Sequence, residues 1–334
     1  MLRFIIRRLL QAIPTLLVLS ILVFAWLRLL PGGPAEALLG DKATPATVAS
    51  MNRVLGLDQP IFVQYFKFLG RTLTGDFGNS LTSGDPVLAE IGRRFPATIE
   101  LSGCALLLAI VCGIPLGYVA ARHRGRFIDN AAVMTTLLGV AVPVFFLGVL
   151  LKYVFAQKLG ILPPSGRQDV TIDATHVTGF FVLDGLLTGE YDAAWDAVKH
   201  LILPSIALAS VPFAVIVRIT RAAVLDVREE DFVRTAESKG LTTKVIRRRH
   251  VLRNALLPVS TTIGLQTGLL LAGAVLTETV FNWQGLGSLL SEGIQRRDYP
   301  RLQALLLLAA LVYVLVNLLV DISYAIIDPR VRVR

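Results

Sequence analysis

Six long runs of apolar residues, each about as long as a membrane is thick, dominate this 334-residue chain. A hydrocarbon core of about 30 Å needs roughly 20 apolar residues in a helix, because each residue adds about 1.5 Å. The runs lie at residues 9–30, 97–121, 128–157, 201–224, 255–281 and 302–327. With 54% hydrophobic and only 17% charged residues, the composition is also far from that of a soluble domain. The sequence therefore predicts one all-α, polytopic membrane domain with six transmembrane helices.

The distribution of basic residues orients these helices. If the N-terminus is cytoplasmic, the inner segments hold 19 Lys and Arg residues against 7 acidic ones, whereas the outer segments hold 12 against 14. Basic residues concentrate on the cytoplasmic side of membrane proteins. Both termini are then cytoplasmic, with external loops at 31–96 and 158–200 and a large cytoplasmic loop at 225–254. The net charge of +9 is thus a topology signal, and we expect no nucleic-acid partner.

Charged side chains within or beside the apolar runs are few. Arg28, Glu100 and Glu278 fall near predicted outer ends, where reaching to water or forming an ion pair is the ordinary explanation. Asp321 lies deeper, about a turn and a half from the inner end of the last run. We take Glu278, Asp321 and the amide Gln266 as candidates for a translocation pathway or gate. The absence of a series of buried carboxylates argues against a proton-coupled secondary transporter.

No motif of a hydrolytic or metal-dependent enzyme occurs in the chain. The patterns GxxxxGK[ST], HExxH and GxSxG are missing, and the four histidines are scattered. We therefore expect a chain that is not an enzyme, with no catalytic residue, no metal site and no bound cofactor. Energy for any transport would have to come from another subunit.

The cytoplasmic loop carries the clearest polar pattern. Phe232, Val233 and Ala236 fall at helical spacing, and Gly240 ends the run, because glycine can take the left-handed conformation that turns the chain. A second, basic helix is predicted at 243–253 and leads into the fifth span. Together these elements make a knob suited to a groove in a cytosolic partner. The alternative is a solvated loop whose charge only maintains the topology.

Two segments of this loop resemble a known motif. VRTAESKG at 233–240 and RNALLP at 253–258 resemble the EAA signature of permease subunits in binding-protein-dependent ABC importers. Arg234 and Thr235 stand where Glu and Ala are common, a departure that is usual in the peptide branch. Further matches, such as GIPLG at 113–117, SGR at 165–167 and RRDYP at 296–300, extend over nearly the whole chain. The sequence is similar to the first of two paralogous permeases of the dipeptide and oligopeptide group.

The resemblance implies the type I ABC importer transmembrane fold in a bacterial plasma membrane, crossed several times. It also implies a paralogous second permease, two ATPase subunits or one fused ATPase that hold ATP and Mg²⁺, and an extracytoplasmic substrate-binding protein. The implied substrates are dipeptides or short oligopeptides. Nickel, haem or another small solute is an alternative within the family. On the residues alone, an ATP-independent channel or carrier and a membrane scaffold are further alternatives.

In this family the loop forms a coupling helix that fits a cleft on the ATPase, and residues 229–243 match it here. The implied coupling residues are Glu229, Asp231, Phe232, Arg234, Ala236, Lys239, Gly240 and Leu241, and the loop-end residues are Asn254, Leu257 and Pro258. We expect Phe232, Ala236 and Leu241 to be buried against the ATPase, with Arg234 and Lys239 at the rim. We also expect Gly240→Asp to uncouple transport without preventing membrane insertion.

Overall fold

The computed structural model describes residues 2–29, 33–40, 43–54 and 56–327. Within these ranges the chain is helical, with one isolated antiparallel bridge between Asn79 and Pro86. The α-helices are α1 Leu2–Leu29, α2 Gly33–Leu39, α3 Pro45–Val54, α4 Ile61–Leu73, α5 Val87–Arg122, α6 Phe127–Ala141, α7 Val144–Leu151, α8 Phe181–Thr188, α9 Tyr191–Arg228, α10 Asp231–Ser238, α11 Thr243–Val245, α12 Arg253–Phe281, α13 Leu286–Gln295 and α14 Tyr299–Ile327. The wider π-helix occurs at Lys152–Lys158 and Ile246–Leu252.

Four described helices are long and apolar enough to cross a membrane by themselves: most of α1, α5, α9 and most of α14. Two bent pairs of helical segments raise the number to six if each pair is one span. One pair is α6 with Val144–Lys158, and the other lies within Thr243–Phe281. The prediction of an all-α membrane protein is confirmed, whereas the six-span count and the cytoplasmic position of both termini stay predictions.

The third predicted span, 128–157, is not one straight helix. Its two halves, α6 and Val144–Lys158, meet at 104°. Val142 between them has an extended backbone with ψ of 123°, and Pro143 follows it. Proline has no N–H to donate and disfavours helical conformation in the residue before it, so the helix ends there. The fifth predicted span is also bent, by 53° between Leu270 and Ala274.

Helices α5 and α9 are longer than a membrane is thick. They have 36 and 38 residues, or about 55 Å each. Both begin ten residues before the predicted spans, so their outer ends stand within the segments predicted as external loops. Residues Ile61–Leu73, within the segment predicted as the first external loop, form the amphipathic helix α4. Which residues of each helix lie inside the membrane stays a prediction.

The core of the bundle lies where α5, α9 and α12 meet. Leu101, Leu208, Ile216 and Val259 are almost fully buried there. Glycine lets α5 and α9 approach closely, because a Cβ atom on Gly117 would lie only 2.6 Å from the Val217 carbonyl oxygen. These three helices therefore form a tightly packed unit.

A buried ion-pair network joins the start of α5 and the segment before it to the start of α14. The guanidinium of Arg301 donates hydrogen bonds of 2.9 and 2.8 Å to the two carboxylate oxygens of Glu90. Asp298 lies 3.8 Å from the same guanidinium and accepts a hydrogen bond from the Ser80 hydroxyl. Because the partners are more than 200 residues apart in the chain, the network fixes the start of α5 against the start of α14.

Glu90→Gln should lower the free energy of unfolding by about 3 kcal/mol, because it leaves the buried Arg301 charge with only Asp298 nearby. Asp85→Asn is the matched control. It breaks the Arg93–Asp85 pair of 3.0 Å, whose side chains are 65% and 52% exposed, and should cost less than about 1 kcal/mol. Denaturant unfolding of both purified variants in detergent would measure the difference. Equal losses would contradict the structural role of the buried pair.

Candidate functional site

The knob, residues 229–252, has the predicted helix, glycine turn and second helix. α10 ends at Ser238, and Gly240 has a left-handed φ of +72°. The amides of Gly240 and Leu241 donate hydrogen bonds to the carbonyls of Glu237, at 2.9 Å, and Ala236, at 3.3 Å. These bonds close the end of α10 and reverse the chain toward α11.

The outward face of the knob combines apolar and charged side chains. Phe232 and Leu241 are 41% and 39% exposed. Four charged residues of the same segment are also exposed: Glu229, Asp231, Arg234 and Lys239. Ion pairs of 3.5 Å for Arg234–Asp231 and 3.3 Å for Arg124–Glu229 are solvent-exposed and contribute little stability. We call Phe232, Leu241 and these four charges the knob surface, and its pattern suits a protein partner.

Ala236 does not belong to this surface, so the prediction that it contacts the ATPase is wrong. It is 5% exposed and packs on the inward face of α10 with Val233. The cluster that encloses them combines residues of the second half of the knob and of three long helices. These are Ile246, Val251, Ala121 of α5, Ala223 and Val224 of α9, and Ala255 of α12. The inward face thus attaches the knob to the bundle core.

The three loop-end residues, Asn254, Leu257 and Pro258, are all exposed at the start of α12. Leu257 is 36% exposed, and Asn254 is also exposed. The side-chain amide of Asn254 donates a hydrogen bond of 2.7 Å to the His250 carbonyl. This bond joins the π-helical segment Ile246–Leu252 to the start of α12. Pro258 follows within the same helix, and this part of the described structure is open to a partner or to lipid.

Glu278, one of the three pathway candidates, is completely buried near the C-terminal end of α12. Its carboxylate accepts hydrogen bonds of 2.7 Å from the Thr98 hydroxyl and 2.9 Å from the Ser288 amide. A Cβ atom on Gly285 would lie 2.5 Å from one of its oxygens, so only glycine fits beside it. Neither expected explanation, contact with water or an ion pair with a described residue, applies to this side chain. Glu278 instead fastens α12 to α5 and α13.

For the other two pathway candidates, Gln266 and Asp321, the described part of the structure gives burial or helix position but no hydrogen bond or ion pair. Gln266 is 8% exposed on α12. Asp321 belongs to α14, but its side chain lies outside the described residues. The structure therefore brings no pair of the three candidates into contact within its described part, and their role in a pathway stays a prediction.

Arg167, which sequence reasoning gave no role, organises the outer loop. Its guanidinium donates hydrogen bonds of 2.7 Å to Glu100 and to the Gly179 carbonyl and lies 3.7 Å from the Phe181 ring centre. Burial lowers the pKa of Arg167, although its pairing with Glu100 acts in the opposite direction. Glu100 thus forms a buried ion pair and does not reach water. Arg167 belongs to the SGR segment that resembles the family. Its partner Glu100 could not be inferred from that segment, because it lies 67 residues away in the chain.

Asp184 holds the neighbouring turn of the same loop. Burial by itself would raise its pKa, but hydrogen bonds donated by Thr178 and by the Gly179 amide outweigh burial, so the pKa lies below its usual value. The Thr178 hydroxyl is 2.6 Å and the Gly179 amide 2.9 Å from the carboxylate. Asp184 is therefore charged near neutral pH and keeps residues 178–184 in place.

Comparison with known proteins identifies the family. Residues 113–333 match the binding-protein-dependent transport system inner membrane component family, and residues 1–102 match the N-terminal part of such membrane components. The chain belongs to this transport-system family. The predicted resemblance is confirmed, and its extent over nearly the whole chain is confirmed as well.

Several permease proteins are similar to this family member over almost their full length. The chain is 46% identical over 333 residues to a di/tripeptide transport system permease protein of Pseudomonas aeruginosa, covering 99% of both chains. It is 44% identical over 336 residues to a dipeptide transport system permease protein of Escherichia coli K12, again covering 99% of both. A glutathione transport system permease protein of Salmonella paratyphi A is 39% identical over 332 residues, with 99% of both chains covered. The family description, a membrane component of a transport system, agrees with the lack of hydrolytic motifs in the sequence.

Proposed function

We propose that this chain is the transmembrane permease subunit of an ATP-driven importer for dipeptides or short oligopeptides. One structural observation supports the coupling role most directly: the knob exposes a mixed apolar and charged surface while its inward face packs on α5, α9 and α12. The transport systems for which these relatives are named carry dipeptides, tripeptides or glutathione. Small peptides are therefore the substrate class that the similarity favours.

The packing of the knob suggests how coupling works. Val233 and Ala236 contact a cluster that includes Ala121, Val224 and Ala255, one from each of the three long core helices. Packed interiors resist compression, so a displacement of α10 moves these helices with it. ATP-driven closure of a bound ATPase pair would thereby change the arrangement of the spans.

The complete transporter, in this proposal, contains several subunits in a bacterial plasma membrane. A paralogous second permease completes the pore, an ATPase pair or fused ATPase docks on the knob surface, and a substrate-binding protein delivers peptide from outside. ATP and Mg²⁺ bind in the ATPase, and this chain binds no cofactor. Six spans, with both termini in the cytoplasm, place the knob on the ATPase side.

The proposal is tested by reconstituting the chain with its co-purifying subunits in liposomes. We expect uptake of labelled dipeptide only with the binding protein outside and ATP inside. Uptake without ATP would instead support a channel or carrier, and no uptake with an intact complex would oppose a transport role. Competition by unlabelled tripeptide, glutathione, haem or Ni²⁺ separates the substrate classes. Mass spectrometry of ligands retained by the binding protein provides an independent identification.

A further inference from the structure

An apolar groove lies between α6 and α9. Two contacts mark the ends of the groove. Near the C-terminal end of α6, a Cβ atom on Gly139 would lie 3.2 Å from the Ser210 carbonyl oxygen. At the start of α6, Asp129 accepts a hydrogen bond of 2.8 Å from the Arg221 guanidinium. Along these contacts the side chains of the two helices border a surface groove of about 440 Å³.

The groove has an apolar wall and a basic end. Apolar and small side chains form most of its lining: Ala132, Val133, Thr136, Leu137, Val140 and Ala141 of α6, with Ala214 and Val217 of α9. Arg218 and Arg221 complete it on the side of the Asp129 contact. Leu137 and Val140 are 59% and 51% exposed along its rim. An opening of this kind suits a molecule with an apolar chain and an acidic head.

The two arginines differ in their partners. Arg221 is paired with Asp129, whose carboxylate also accepts a hydrogen bond from the Gly125 amide and is therefore occupied. Arg218, one helical turn further along α9 toward the membrane interior, is exposed and forms no hydrogen bond or ion pair with any described residue. An unpaired guanidinium at the membrane edge is costly, whereas a phosphate can bind its planar donors through two hydrogen bonds.

We propose that this groove binds an anionic phospholipid of the inner leaflet, with its phosphate beside Arg218 and an acyl chain between α6 and α9. The positive-inside distribution puts the Arg218 end at the cytoplasmic side, where the headgroups of that leaflet lie. The acyl chain would lie in the surface groove between the Gly139 and Asp129 contacts. The proposal needs neither a peptide substrate nor the ATPase.

The test is native mass spectrometry of the complex in nanodiscs that contain equal amounts of phosphatidylglycerol and phosphatidylethanolamine. We expect the wild type to retain phosphatidylglycerol during delipidation and Arg218→Gln to retain about fivefold less. Arg253→Gln, the same charge change at the inner end of α12, should retain as much as the wild type. Equal retention by Arg218→Gln and wild type, or an equal loss in Arg253→Gln, would overturn the proposal.

A second measurement identifies the occupant without disturbing it. A photoreactive amino acid at the exposed Leu137 position should give an adduct with the mass of a phospholipid. An adduct with the second permease would show that a protein helix fills the groove and would contradict the lipid assignment. Thr136→Phe, which narrows the groove, should reduce the lipid adduct. Neither measurement uses ATP or peptide, so failure here leaves the transport proposal intact.

Discussion

Replacing Gly240 with valine should reduce ATP-driven peptide uptake about tenfold while the permease still inserts and assembles. The backbone at Gly240 has a φ of +72°, and a side chain that branches at Cβ is strongly disfavoured there, at a cost of about 1–2 kcal/mol. No atom lies within 4 Å of the position that a Cβ on Gly240 would occupy, so the effect is conformational and not a collision. The strained turn would open and displace Phe232 and Leu241 from their positions on the knob surface.

Gly240→Asn is the matched control, because asparagine tolerates the left-handed conformation better than other residues with a Cβ. It should retain most of the uptake. Gly240→Asp also tolerates the turn, so the uncoupling expected for it would come from its charge at the ATPase contact. Uptake in liposomes, measured beside the amount of assembled complex, distinguishes these effects. Equal activity of the valine and asparagine variants would show that the turn does not limit coupling.

Replacing Gly117 with leucine should have the largest effect on stability. A Cβ atom there would lie 2.6 Å from the Val217 carbonyl oxygen and 2.7 Å from Thr220 Cβ, so α5 and α9 could not keep their present distance. Forcing extra atoms into a packed core costs about 1–3 kcal/mol. Because the obstacle here is the Val217 backbone, which cannot rotate away as a side chain can, we expect a loss of stability at the top of that range or above it. We expect Tm to fall by roughly 6–12 °C, following the usual relation between Tm and stability.

Gly103→Leu on the same helix is the control. Gly103 is exposed, and a Cβ added to it would meet no atom within 4 Å. Both substitutions remove a helical glycine and add the same apolar side chain, so they differ only in what the new atoms meet. Thermal unfolding of the two purified variants should therefore give a normal or slightly raised Tm for Gly103→Leu. Similar Tm losses would show that Gly117 is not a close-packing position.

The knob illustrates where sequence reasoning was sufficient and where it was not. The spacing of Phe232, Val233 and Ala236 predicted α10, and Gly240 predicted its end, because both depend on neighbouring residues in the chain. The same spacing did not reveal which side of α10 faces the bundle. Ala236 was assigned to the partner surface, but it packs inward, because α5, α9 and α12 lie on that side.

Apolar length, charge distribution and local motifs were enough to predict a helical membrane protein, its family and the helix–turn–helix form of its knob, since each of these depends on residues close together in the chain. The pairs Arg167–Glu100, Arg301–Glu90 and Glu278–Thr98 were not predicted, although they fasten distant parts of the chain to one another. Their partners are 67 to 211 residues apart. Such contacts, like the groove between α6 and α9, exist only after distant helices have packed, because only packing excludes water and brings their side chains within hydrogen-bonding distance.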